Sequence, residues 1–271
     1  MAADVVSIPH LYITSFVHNL RHSRLFDDVH AYVMFIGYPQ SAHTLVGFLL
    51  DAHPNIVLAS QSSGLKYVKH GFTKRQLFYV MLQDARHVAE VGRGQKDYSY
   101  VVPNQWQGRF QKLQVIGDST GLSRVRKNPA LLTSLKNTLG NVKLKVIHCI
   151  RNPYDNISTM SLRRRETLEA TIESYFSMCE TVENIRSQIE SATMYDLHHE
   201  RLVADPKETL RKLCGFLGVR ADDEYCEDCA SLIYKSPHES RLEVSWSPEL
   251  IADVKLQMSR FSFLADYSYD V

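Results

Sequence analysis

Three short apolar runs limit most strongly what this chain can fold into: YVMFIG at 32–37, LQVIGD at 113–118 and LKVIHCI at 144–150. Each is rich in β-branched residues and ends at a polar or turn residue, the pattern of parallel strands buried on both faces. A weaker fourth run spans 192–200. Helical patterns lie between the runs, at 43–53, 129–140, 167–189 and 205–218, and another starts at Pro153. Pro129, Pro153 and Pro206 stand at first helical positions, Asp205 precedes Pro206 as an N-cap, and Gly140 and Gly218 mark stops. Strands alternating with helices predict a three-layer α/β fold, a central parallel sheet flanked by helices. With no repeat, low-complexity tract or linker, residues 1–271 are expected to form one domain.

Composition narrows the function classes. The chain carries 31 Lys+Arg against 30 Asp+Glu, a net charge of +1. A nucleic-acid or membrane-surface binder would show a basic excess, so neither partner is expected and any anion site must be local. Five cysteines at scattered positions do not read as a disulfide framework. The first twenty residues lack a basic segment leading into an apolar run, and no stretch is long and apolar enough to span a bilayer. The expected location is the cytoplasm; the oligomeric state is not legible.

The segment GYPQSAHT, Gly37 to Thr44, leaves the first buried run and enters a helix. In an open parallel sheet, ligands bind beyond the carboxyl ends of strands. Backbone N–H groups of such a loop, with the positive end of its helix, hold an anion without side-chain charge. Against the nucleotide-binding pattern G-x-x-x-x-G-K-[ST], Gly37 and Thr44 fit, but Ala42 and His43 replace glycine and lysine. A kinase or ATPase is therefore disfavoured.

The same segment resembles the 5′-phosphosulfate loop of sulfotransferases that use 3′-phosphoadenosine 5′-phosphosulfate (PAPS), G-x-P-[RK]-S-G-[TH]-[TS]. Gly37, Pro39, Ser41, His43 and Thr44 match it, and HPNI follows at 53–56 as in that family. KVIHCIRNPYDNISTM (145–160) resembles the family's 3′-phosphate segment, with Arg151 ending the strand, Asp155 four residues on, Thr159 at the hydroxyl position and Ser158 beside it. HERLVADPKETLRKLCGFLGV (199–219) is similar to a structural segment of the family, and SRLEVSWSPELIADVKLQM to its closing loop and helix, with Arg241 over the 3′-phosphate. Residues 98–118 look like a bacterial-type branch. The resemblance implies the P-loop-like sulfotransferase fold and transfer of a sulfuryl group from PAPS. An acceptor oxygen or nitrogen attacks sulfur in line, and adenosine 3′,5′-bisphosphate (PAP) leaves. It implies no metal. The nucleotide would be bound by Gly37, Gln40, Ser41, Ala42, His43, Thr44, Arg151, Ser158, Thr159 and Arg241. The acceptor would be a small molecule or a glycan.

Four positions depart from the family. Gln40 stands where a Lys or Arg contacts the 5′-phosphosulfate; losing one charged donor to a transition state costs roughly 3–4 kcal/mol. Ala42 replaces a glycine and is strained if its φ is positive. Ser119 follows IGD where the branch has a basic residue, and Gln61 lies where it tends to an acid. The alternative is thus a descendant that binds a nucleotide or partner without transfer. His43 either takes the acceptor's proton or replaces the missing charge, or else caps its helix. Asp118 either acts as a second candidate base or terminates its strand. The triple Arg163–Arg165 reads as a solvated helix face, with a patch for an anionic substrate as the alternative. Tyr98, Tyr100, Trp106 and Phe110 line an acceptor pocket or belong to the core or a lid.

Overall fold

The computed structural model describes residues 7–92, 94–95 and 98–270. Seven strands run in chain order: β1 (Ala31–Gly37), β2 (Ile56–Ala59), β3 (Gly94–Gln95), β4 (Tyr98–Ser99), β5 (Val115–Asp118), β6 (Lys143–Ile150) and β7 (Met194–His198). β3 and β4 form a separate two-residue antiparallel ribbon. The other five make a parallel sheet in the order β2-β5-β1-β6-β7. All four runs singled out in the sequence are strands of this sheet, and the weak run at 192–200 is its edge strand β7.

Helices cover both faces. One face carries α1 (Ile8–Arg21), and another set begins with α2 (His43–Asp51) on the opposite face. With α1 pack α3 (Gly64–Lys69), α4 (Lys74–Val91), α5 (Leu122–Lys127), α6 (Ala130–Leu139), α7 (Pro153–Arg164) and α8 (Leu168–Arg186). With α2 pack α9 (His199–Ala204), α10 (Pro206–Leu217) and α11 (Asp223–Ala230), while α12 (Pro248–Met258) joins the first face. β1 shows why both layers are needed. Tyr32, Met34 and Ile36 point into one core and Ala31, Val33 and Phe35 into the other, and all six are buried. A strand apolar on both sides must be covered on both sides. No helix among the described residues is long and apolar enough to cross a membrane.

The strand order places the site. From β1 the chain crosses to β2 on one side, whereas from β6 it proceeds to β7 on the other. The crossovers diverge between β1 and β6, where a ligand crevice opens at the carboxyl ends. Gly37 at the end of β1 pairs in register with Cys149 near the end of β6. A Cβ on Gly37 would lie 3.0 Å from the Cys149 carbonyl oxygen and 3.0 Å from Ser41 Oγ, so any larger residue there would have to push strand or loop apart by a few tenths of an ångström.

Candidate active site

Local sequence shapes the loop after β1. Tyr38-Pro39-Gln40-Ser41 is closed by the Ser41 N–H donating to the Tyr38 carbonyl at 3.1 Å. Proline at the second position and a positive φ of 70° at Gln40 are the marks of a type II turn. Ala42 then takes φ 66°, ψ 11°, in the left-handed region, and leads directly into α2. The expected strain at Ala42 is therefore present, and Gln40 adds a second left-handed residue without being glycine. Such backbone clusters at functional sites, held there by the surrounding structure. Among the described residues no side chain caps α2, so its first N–H groups remain available at the positive end of a nine-residue helix. The Ser41 hydroxyl turns back into the loop and donates to the Tyr38 carbonyl at 2.8 Å. Beneath the loop, Tyr38 Oη lies 3.2 Å from His148 Nε2, and His148 Nδ1 lies 2.9 Å from Asp196 on β7. This buried chain ties the loop to two further strands.

Arg151 stands where β6 ends. Its Nη1 donates to the Gln40 carbonyl at 3.3 Å and to Thr159 Oγ1 at 3.2 Å. Its Nη2 donates to the His238 carbonyl at 2.6 Å and to Ser240 Oγ at 3.1 Å. Asn156 adds a second tie, donating to the Pro39 carbonyl at 2.6 Å. The two sequence signatures thus meet on adjacent strands. The Arg151 side chain is buried, its Nε has no hydrogen-bond partner, and no carboxylate lies within ion-pair distance among the described residues. Burial lowers its pKa, opposed by Asp155 and Glu200. A buried guanidinium bonded only to neutral oxygens is matched to an anion.

Both segments open into a cleft of about 1460 Å³. Gly37, Gln40, Ala42, His43, Thr44, Arg151 and Thr159 line it. His43, on the first turn of α2, has a buried Nδ1 without a hydrogen-bond partner. Burial lowers its pKa and outweighs the pull of the nearby Tyr38 carbonyl, so the imidazole is neutral near pH 7.

Four candidate residues sit outside the cleft lining. Ser41 braces the loop, as above. Ser158 is buried and accepts a hydrogen bond from Trp246 Nε1 at 3.0 Å, on the far side of α7 from Thr159. Arg241 is bound to Asp155 through Nη1 at 2.6 Å and to Glu239 through Nη2 at 3.0 Å. This pairing holds Ser240 and His238 against Arg151. Asp118 is fully buried and accepts from Tyr32 Oη at 2.6 Å, Gly64 N at 3.0 Å and Thr120 N at 3.0 Å. Burial raises its pKa and these bonds oppose the rise. The carboxylate thus ties β1, the start of α3 and the turn after β5 together.

Further residues complete the lining. Arg163 and Arg164 are exposed, as a solvated helix face would be, and also line the cleft, where Arg126 and Lys127 join them from α5. Tyr98 and Tyr100 line it together with Tyr234, whereas Trp106 and Phe110 do not; Phe110 packs against the core. His199, placed by sequence in a structural segment, also reaches the cleft.

Comparison with known proteins bears on the family and the fold. Residues 33–223 match a family model described as the sulfotransferase family. A 3-alpha-hydroxysteroid sulfotransferase of Cavia porcellus is 31% identical over 124 residues, covering 38% of this chain and 43% of that protein. The matched stretch thus spans less than half of that curated relative. The sulfotransferase domain of the Synechococcus PCC 7002 olefin synthase superposes with a TM-score of 0.52 at 15% identity, over 85% of this chain and 94% of that one. A mouse sulfotransferase complexed with PAP gives 0.51 at 14% identity, over 88% and 86%. At these identities the structures share the fold.

Proposed function

The chain belongs to the sulfotransferase family, and from that premise we propose that it transfers a sulfuryl group from PAPS to a hydroxyl or amine of a small-molecule or glycan acceptor. One observation carries the reading: a buried arginine without a carboxylate partner joins the uncapped helix loop of β1 to the end of β6. The orphaned Arg151 Nε and the free N–H groups of α2 fit a ligand with phosphates at both ends.

When bound, PAPS supplies the electrophilic sulfur and an anionic leaving group. Backbone N–H groups at 42–44 and the Thr44 hydroxyl hold its 5′ end, and the dipole of α2 stabilises negative charge there. Arg151 and Thr159 hold the 3′-phosphate. His43, neutral and lining the cleft, accepts the acceptor's proton. Ser41, Ser158, Arg241 and Asp118 act as positioning residues, fixing the loop, α7, the 238–241 segment and the turn after β5.

Calorimetry with PAP, followed by a PAPS turnover screen over varied acceptors, tests this reading. Micromolar binding and turnover with at least one acceptor are expected; no PAP binding at millimolar concentration refutes it. Gln40 favours a second reading, a chain that binds PAP and transfers nothing, because the loop lacks its charged donor. Turnover by the unaltered protein excludes that reading.

A further inference from the structure

The cleft exceeds the roughly 300–1,000 Å³ of an ordinary small-ligand pocket, leaving room for an acceptor beside a nucleotide. Five Lys or Arg side chains line it, Arg126, Lys127, Arg151, Arg163 and Arg164, and among the described residues no Asp or Glu does. In a chain with 31 basic and 30 acidic residues, this is strong local segregation of charge. Arg151 is committed to the phosphate loop; the other four are not.

Arg163 stands one turn beyond Thr159 on α7. It is close enough to Arg151 to add to the lowering that burial imposes, and close enough to Tyr100 to oppose the rise that burial imposes there. Arg163, Arg151 and the tyrosines thus share one cleft. Arg126 is oriented by the neutral Ser177 hydroxyl at 3.0 Å, a bond that leaves its charge uncompensated. Arg164 approaches Glu166 at 3.7 Å, while neither Arg163 nor Lys127 has a carboxylate within ion-pair reach among the described residues. Also lining the cleft are Tyr98, Tyr100 and Tyr234. Ring centroids are 4.7 Å apart for Tyr98–Tyr100 and 5.7 Å for Tyr98–Tyr234, with Phe48 supporting Tyr100 at 4.9 Å. Aromatic faces bind flat apolar or ring surfaces, and free cations bind anions.

We propose that the acceptor is an anionic hydroxylated ring, with the ring on the tyrosine wall and a carboxylate or sulfate held by Arg163 and Lys127. The inference rests on the sulfuryl-transfer reading and names its acceptor class. Either a hydroxyaryl acid or an acidic sugar has this chemistry.

The test is calorimetric and needs no turnover. PAP-saturated protein is titrated with 4-hydroxybenzoate against 4-hydroxybenzamide, and with glucuronate against glucose, at low and high salt. In at least one pair the anion should bind about tenfold more tightly, with the advantage shrinking at high salt. The pair that shows it identifies the source. Arg163→Gln and Lys127→Gln, both exposed, should reduce the advantage and leave PAP affinity unchanged. Equal affinity within both pairs, or no binding of any probe, overturns the proposal while PAP binding still stands. A loss of PAP affinity in both variants also overturns it, because the cations then serve the nucleotide. Failure of PAP itself to bind refutes the parent reading instead.

Discussion

Replacing Arg151 by lysine tests the junction of the two signatures most directly. The guanidinium makes four hydrogen bonds, two from Nη1 to the Gln40 carbonyl and Thr159 and two from Nη2 to the His238 carbonyl and Ser240. Lysine keeps the charge but concentrates it at one nitrogen, so it cannot serve the Gln40 side and the His238 side together. At least one of these half-buried carbonyls loses a charged donor. Such a loss costs about 1.5–3 kcal/mol. For a domain of this size each kcal/mol lowers Tm by roughly 2–4 °C, so a drop of about 3–12 °C is expected in a thermal scan. The planar fork is also lost to the phosphate. Calorimetry with PAP should then show a Kd weakened by about 10- to 100-fold. The two readouts separate the roles. Unchanged PAP affinity refutes Arg151 as the phosphate ligand, and unchanged Tm refutes it as the brace between loop and strand.

Other outcomes follow from the same geometry. Ala42→Gly removes a Cβ at φ 66°; after the larger chain entropy of glycine is subtracted, a gain of about 0.5–1 kcal/mol is expected in urea unfolding, and a loss refutes the strain. Gln40→Arg should raise PAPS turnover by roughly a hundredfold with any acceptor the protein uses; an unchanged rate shows that another cation already serves the leaving oxygen. Because burial lowers the His43 pKa below its ordinary 6.5, a neutral base remains competent down to that value. The rate should be flat from pH 8 to 6.5 and fall only below, with His43→Gln losing about 10²- to 10⁴-fold; an acid limb above pH 7 contradicts the assignment. Burial also lowers the pKa of His53, His148, His198 and His199. The unfolded chain then binds protons that the folded one refuses, so stability drops as pH falls below about 6.5. The loss is up to about 1.4 kcal/mol per histidine kept neutral one pH unit lower, read from urea midpoints at pH 7 and 5.5. Carboxyls raised by burial at Asp118 and Asp155 act in the opposite sense, at more acidic pH.

Several elements were invisible in the sequence for identifiable reasons. β2 is only four residues and starts inside the HPNI segment, which reads as part of the preceding helix's stop. α4 carries a Thr73–Gln76 capping box, a start signal that was available and passed over. The arginine triple looks like a solvated face because charge runs usually are one. Its contribution to the cleft appears only once α5 brings Arg126 and Lys127 to the same opening.

The sequence by itself determined the layered α/β class, the strand-to-helix turn at 37–44 and the arginine at the end of a second strand. These are local properties, written in periodicity, in proline and glycine positions and in short spacings. Only the tertiary structure decided which neighbouring hydroxyl faces the cleft. Successive residues on a helix point about 100° apart, so Thr159 reaches Arg151 while Ser158 meets Trp246. It also directed Arg241 to Asp155, enclosed Asp118 and gathered four further cations at one opening. Those outcomes depend on contacts between segments far apart in the chain, and burial and charge pairing at a residue are properties of its neighbours in space.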